Sequence, residues 1–256
     1  MEHTNREPVI VVEHLLAAYG ENVILRDVSF RVARGELLAI VGGSGCGKST
    51  LLKYMIGLYR TRQGRVVING VDIMSVSEES LNRQRLGIGV LFQSDALIGS
   101  MTLAENISLP LKEHTDLEPE FISRIVKMKL GMVHLAGYEN HQPSELSGGM
   151  KKRAGFARAM AMDPTILFFD EPSAGLDPVT AAELYELIQR MNRDMRATII
   201  IVTHDLNLVF AVADRVIMLD GEEQGIIAEG SPLALRECED DHRVYDFFNR
   251  RKTRHP

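Results

Sequence analysis

The chain predicts an α/β fold built on a parallel sheet, and three observations carry the prediction. Apolar runs of strand length, ELLAIVG, TILFFDE and ATIIIVTHD, alternate with helical segments, the order that lays strands side by side in parallel. These runs are continuous rather than alternating, as in strands buried on both faces. The first feeds into a glycine-rich loop, GGSGCGKST, which opens a helical stretch, KSTLLKYMIGL.

Taken in order, residues 9–41 read as strands. VIVVEHLLAAYG, VILRDVSFRVARG and ELLAIVG are rich in β-branched residues and are broken at Gly20 and Gly35. Gln63-Gly64 marks a turn back to strand in RVVING. From about residue 96 to 161 the pattern turns mainly helical. Within EFISRIVKMKLGMVHLAG, Ile122, Ile125, Val126, Leu130 and Val133 share one face, the mark of an amphipathic helix in a helical subdomain. A helix from about Pro178 to Arg193 separates TILFFDE from ATIIIVTHD, and VIMLDGEEQGIIAEG reads as a late hairpin. Beyond Pro232 an acidic stretch (Glu237, Glu239, Asp240, Asp241) gives way to a basic one (Arg250, Arg251, Lys252, Arg254). That basic end reads as a solvated terminus, with contact to a neighbouring subunit, a regulator or anionic headgroups as the alternative.

Apolar residues make up 45% of the 256 and charged residues 25%, enough for a normal core. A net charge of −6 argues against nucleic acid as a partner. The N-terminal sequence shows no signal-peptide pattern, and no apolar run approaches the ~20 residues that span a bilayer. Cys46 and Cys238 are the two cysteines, too few for a disulfide framework or a zinc site, which fits a reducing cytoplasm.

Two glycine-rich segments carry the chemistry. Gly42-x-x-x-x-Gly47-Lys48-Ser49 fits the Walker A pattern of a P-loop and sits between strand and helix, its confirming context. Glycines let the backbone of Gly42, Gly43, Ser44, Gly45, Cys46 and Gly47 wrap a phosphate, and the helix beginning at Lys48, Ser49 and Thr50 adds its positive end. Lys48 is expected on the β- and γ-phosphates of ATP and Ser49 on Mg²⁺. Asp170, closing the strand TILFFD, is placed to hold the magnesium shell, and Glu171 to polarise the attacking water. The second segment, Ser147-Gly148-Gly149, opens a strongly helical run and offers a hydroxyl, free N–H groups and a helix N-terminus together.

With those motifs in this order, residues 8–230 resemble the ATP-binding cassette (ABC) ATPases. The resemblance implies a P-loop NTPase (RecA-like) core with a parallel sheet, an N-terminal antiparallel β subdomain and an inserted helical subdomain. It implies an ABC domain over residues 8–232, with the helical part at about 96–161, and a C-terminal extension over 233–256. Tyr19 falls where the family stacks an aromatic on adenine. Gln93 matches the glutamine that touches magnesium and water and senses the partner. Ser147 and Gly149 match signature residues that contact the γ-phosphate held by the opposite subunit. Ser173 to Asp177 matches the D-loop, and His204 the switch histidine on the γ-phosphate. The family signature usually ends in glutamine, where this chain has Met150.

The segments GIGVLFQSDAL, ENISLPLKEHTDL, ELSGGMKKR and DEPSAGLDP are similar to the ATPase of Mla/Mce-type phospholipid transporters, whose pattern includes SGGM. That resemblance implies a homodimer beneath integral-membrane permease subunits at the cytoplasmic face of the inner membrane. It also implies an MCE lipid-binding partner, a small regulatory subunit and phospholipid as cargo. Another cargo, such as an amino acid or a metal, remains open. A soluble ABC ATPase of the repair or translation kind usually carries a long coiled-coil insertion or a second cassette, but only about 50 residues separate Gln93 from Ser147 here.

Overall fold

The computed structural model describes residues 7–93 and 97–250. Residues 94–96 of the GIGVLFQSDAL segment, and Arg251, Lys252 and Arg254 of the basic tail, lie outside the described residues.

Strands β1 (Pro8–Tyr19) and β2 (Asn22–Ala33) pair antiparallel across the Gly20 turn. Each is twelve residues long, and register shifts along β1 let them bend over the core. Strand β3 (Leu37–Gly42) ends in the glycine-rich loop, and α1 (Lys48–Met55) follows. Strands β4 (Arg65–Ile68) and β5 (Val71–Asp72) complete the first sheet, in the order β2-β1-β4-β5, all antiparallel. Next come α2 (Glu78–Arg85) and β6 (Ile88–Leu91).

The helical region holds α3 (Leu103–His114), α4 (Pro119–Met132), a 3₁₀ turn at Pro143–Glu145 and α5 (Gly148–Ala159). Thr102 and Glu105 close a capping box at the start of α3. The expected face of α4 is turned inward: Ile122, Val126, Leu130 and Val133 are buried and Ile125 is half-buried. Then follow β7 (Ile166–Asp170), α6 (Pro178–Met195), β8 (Thr198–Val202), α7 (Leu206–Val212) and the hairpin β9 (Arg215–Asp220) and β10 (Gly225–Gly230). The second sheet runs β10-β9-β3-β8-β7-β6, parallel except for the β9–β10 hairpin.

Every residue of β3, β7 and β8 is buried, and their period of two divides the interior. Leu38, Ile40, Ile166, Phe168, Ile200 and Val202 face the first sheet and α1. Leu167, Phe169, Ile199 and Ile201 face the helical region and α6.

The segment after Pro232 departs from its polar appearance. It forms α8 (Pro232–Arg236) and α9 (His242–Phe248). Leu235, Val244 and Phe248 pack with Val209 and Met218 into a third cluster. Arg243 binds Asp241, Glu223 and Asp220 at 2.7–3.4 Å and ties α9 to the β9–β10 turn. The segment is acidic on the outside and apolar toward the sheet. Arg250, where the basic end begins, is exposed and donates to Asn207 Oδ1 at 2.6 Å.

Candidate active site

A cavity of about 640 Å³ opens where β3 meets α1. Its wall contains Gly42, Gly43, Ser44, Gly45, Gly47, Lys48, Ser49 and Thr50 from the loop, together with Tyr19, Gln93, Glu171 and His204. The fold therefore gathers residues that stand far apart in the chain. Tight approach fixes the loop's glycines. A Cβ on Gly42, at φ 145°, would lie 2.3 Å from the Leu219 carbonyl oxygen. Gly47, at φ 103°, caps α1 with no side-chain hydrogen bond. The first-turn N–H groups of the helix thus face the cavity without intrahelical acceptors, the arrangement that receives an anion.

Lys48 Nζ donates to the carbonyls of Gly42 and Gly43, both at 2.9 Å. Its positive charge is thereby held at the mouth of the loop. Cys46 is absent from the cavity wall. Its side chain packs in the core, with Sγ 3.9 Å from Lys48 Nζ, and burial raises its thiol pKa. Only its backbone is available to a phosphate. Tyr19 is 44% exposed, with its hydroxyl 3.3 Å from that of Thr50, and Tyr59 meets its ring edge-on. One ring face is therefore available for stacking.

Ser49 Oγ donates to Asp170 Oδ1 at 3.1 Å. Burial pushes the Asp170 carboxyl pKa up, against the opposing hydrogen bond from Ser49. A half-buried hydroxyl and a buried carboxylate beside a phosphate cradle are an all-oxygen donor set of the kind Mg²⁺ takes, with water and phosphate completing the shell. Among the described residues no cluster of three His, Cys, Asp or Glu could hold a metal by itself.

Glu171 turns the chain out of β7 in the left-handed region, at φ 50°, where a residue with a side chain carries about 1–3 kcal/mol of strain. Its neighbours hold it there. Its N–H donates to the Val202 carbonyl at 2.8 Å, and its Oε2 accepts from Thr203 Oγ1 at 3.1 Å. Its Oε1 lies 2.7 Å from His204 Nδ1. The His204 side chain is 70% exposed and faces the cavity.

The second glycine-rich segment lies elsewhere and contributes nothing to the wall of this cavity. Ser147 caps α5, accepting from Met150 N–H at 3.3 Å. A Cβ on Gly149 would lie 2.5 Å from Thr180 Cγ2, so the start of α5 is pressed against the start of α6. Lys152 of α5, nearly buried, donates to the Gln93 carbonyl at 2.9 Å and so links the second segment to the first cavity.

Several wall residues are not evident from the motifs. Ile24 lines the cavity from β2 and Phe247 from α9. Phe247 and Arg250 also border an adjoining cavity of about 410 Å³ with Glu171, Ser173 and His204. The spacing of Val244, Phe247 and Phe248 within the tail is the signal that marks α9 as a packed helix.

The chain is similar in sequence and fold to known proteins. The family model described as ABC transporter matches residues 25–174. The chain belongs to the ABC transporter family. It is an ATP-binding subunit that hydrolyses ATP. The probable ribonucleotide transport ATP-binding protein mkl of Mycobacterium tuberculosis is 46% identical over 95% of this chain and 67% of its own length. The intermembrane phospholipid transport system ATP-binding protein MlaF of Haemophilus influenzae is 40% identical, covering 94% and 90%. The methionine import ATP-binding protein MetN of Brucella abortus is 39% identical, covering 88% and 60%. Among solved structures, the dimeric cassette MJ0796 in a post-hydrolysis state bound to ADP and Pi superposes with a TM-score of 0.80. It is 30% identical, over 87% of this chain and 98% of that one.

Proposed function

We propose that this chain drives phospholipid transport between membranes as the ATPase of a transporter in which two copies close around ATP beneath a permease. The observation that carries the paired site is the separation of the two glycine-rich segments. The cavity holds cradle, water-orienting carboxylate and histidine, while Ser147, Gly148 and Gly149, at the start of α5, do not line it. A second copy supplies the missing wall, as the dimeric architecture of the cassette MJ0796 supports.

Within that pair we assign the roles that the resemblance to ABC ATPases implies, and the geometry supports them. Tyr19 stacks on the adenine. The backbone of residues 42–47 and the α1 terminus take the phosphates, and Lys48 exchanges its two carbonyl partners for phosphate oxygens. Ser49 and Asp170 would hold Mg²⁺, with Gln93 beside them; when bound, the ion shields phosphate charge and orients the triphosphate. Glu171 orients the attacking water. His204 and Lys48 stabilise charge on the transferring phosphoryl group. The partner subunit's Ser147, Gly148 and Gly149 bind the γ-phosphate from the far side, so hydrolysis removes the bridge between the copies.

The route to the permease is a groove of about 580 Å³ between the sheet and the helical region, lined by Arg85, Val90, Phe92, Pro110, His114 and Arg158. Phe92 lines this groove and Gln93 lines the nucleotide cavity. Two consecutive residues thus link phosphate to partner. Among the described residues no helix is long and apolar enough to cross a membrane. The permease holds the chain at the cytoplasmic face of the inner membrane.

Similarity to MlaF supports phospholipid as cargo, and the Mla/Mce-type resemblance implies an MCE protein and a small regulatory subunit as further partners. Similarity to MetN favours a second reading, import of a small solute. Purifying the complex from its native membrane and identifying its subunits and bound small molecules separates the two. Phospholipid with an MCE protein is the expected result; a solute-binding protein carrying an amino acid overturns it.

A further inference from the structure

Helix α6 buries Ala181, Leu184, Leu187, Ile188 and Met191 in one stripe. Tyr185 stands at the edge of that stripe, half-buried, where an aliphatic side chain would satisfy the packing. Its hydroxyl does something an aliphatic side chain cannot. Tyr185 Oη donates to Asp205 Oδ2 at 2.5 Å, and Ser173 Oγ donates to the same oxygen at 2.8 Å. One carboxylate oxygen thus joins three segments: the body of α6, the loop after Glu171, and the segment carrying His204.

The chain of contacts continues to the reacting groups. Asp205 N–H donates to Thr203 Oγ1 at 3.0 Å, and Thr203 Oγ1 donates to Glu171 Oε2 at 3.1 Å. Asp205 Oδ1 meanwhile caps α7 through the Asn207 N–H at 3.0 Å. Glu171 sits in a strained backbone conformation and takes side-chain support from Thr203 and His204, the two residues just before Asp205. Whatever fixes Asp205 therefore fixes the geometry of Glu171 and His204.

We propose that Tyr185 is a positioning residue for ATP hydrolysis, its hydroxyl clamping Asp205 and Ser173 so that Glu171 and His204 keep their register through the cycle. The proposal rests on the roles assigned above to Glu171 and His204. The clamp does not titrate in the working range. Burial, reinforced by the Asp205 hydrogen bond, holds the Tyr185 phenol well above its usual pKa. Burial raises the Asp205 carboxyl, but the Tyr185 and Ser173 hydroxyls and the α7 N–H groups outweigh it and keep the pKa below the ordinary value.

The test is steady-state ATP hydrolysis by the full chain with Tyr185→Phe, which keeps the ring and removes one oxygen, and with Tyr185→Leu, which keeps apolar filling. Losing a hydrogen bond to a charged group is expected to lower kcat about 5- to 20-fold. The KM for ATP and the affinity for a fluorescent ATP analogue should stay within about twofold, the split of an interaction that serves the chemical step rather than binding. The pH profile should keep its shape. Asp205→Asn should lower kcat, and adding Tyr185→Phe to it should cost little more, because both act through one carboxylate. Wild-type kcat in Tyr185→Phe overturns the proposal, as does a parallel loss of kcat and nucleotide affinity. Glu171→Gln run alongside separates the failures. If Glu171→Gln turns over ATP normally, the assignment of the reacting carboxylate fails. If it is inactive while Tyr185→Phe is normal, only the clamp fails.

Discussion

The two glycine-rich cradles use similar residues and end in different states. In residues 42–50 the hydroxyl, lysine and helix N-terminus converge on a cavity that also holds Glu171 and His204. In residues 147–149 the serine hydroxyl serves its own helix, Gly149 packs against α6, and none of the three lines that cavity. A helix N-terminus with a serine is thus not a site by itself. What makes the first cradle a site is the strand end that delivers Asp170 and Glu171 beside it.

The largest effect that probes this comparison is Glu171→Gln. It should slow hydrolysis by orders of magnitude and leave an ATP-bound dimer, because binding on both cradles is intact while the water is no longer polarised. Sedimentation with ATP reads the dimer and phosphate release reads the chemistry; a monomer that hydrolyses normally breaks the assignment. Next is Ser147→Arg, which should abolish hydrolysis and leave ATP binding by the isolated chain within about twofold. Mixing Ser147→Arg with Lys48→Ala chains sharpens the contrast. Each alone is inactive, but their heterodimer contains one site with both cradles unmodified. Recovery of activity on mixing shows that one site draws on two chains, and no recovery places both cradles in one chain.

Asp170 tests the strand end that separates the two cradles. Its raised pKa means that burial disfavours the carboxylate in the fold. That cost is full above the raised pKa and vanishes as pH falls below the unfolded value of 3.8. Asp170→Asn should therefore raise Tm of the nucleotide-free protein at neutral pH, with the gain closing as pH falls toward that value, while hydrolysis is lost. A destabilised variant at pH 7 would show that the Ser49 contact outweighs burial.

The same contrast shows what the sequence makes legible. β3, β7 and β8 announce themselves because strands buried on both faces need unbroken apolar runs. Lys48, Asp170 and Glu171 are readable because strand–loop–helix context fixes where their side chains go. The packed tail was not readable from charge. Charged residues of both signs run through it, while the residues that dock it, Leu235, Val244 and Phe248, are spread over two short helices. Tyr185 was invisible for another reason. Its partners, Ser173 and Asp205, are 12 and 20 residues away in sequence and meet it only after β7 and β8 pair. Hydrogen bonds between segments leave no periodic trace.

The smallest effect concerns how the second cradle is held ready for its partner. Gly149 has helical backbone geometry, so conformation does not demand glycine; space does. An added Cβ would sit 2.5 Å from Thr180 Cγ2, at the start of α6, where Thr180 Oγ1 also donates to Asp177 Oδ2 at 2.6 Å. Gly149→Ala should force α5 and α6 apart, costing about 1–3 kcal/mol and lowering Tm by roughly 2–10 °C. Because Ser147 rides on the same helix turn, hydrolysis should fall further than ATP binding. Thr180→Ser removes the obstructing methyl and keeps the hydroxyl that donates to Asp177, the residue that caps α6. The Gly149→Ala/Thr180→Ser double variant should therefore regain most of the lost Tm and activity. If Thr180→Ser rescues neither, the glycine is required for close approach of the γ-phosphate itself. The second cradle would then be tuned by its ligand rather than by the packing of its own chain.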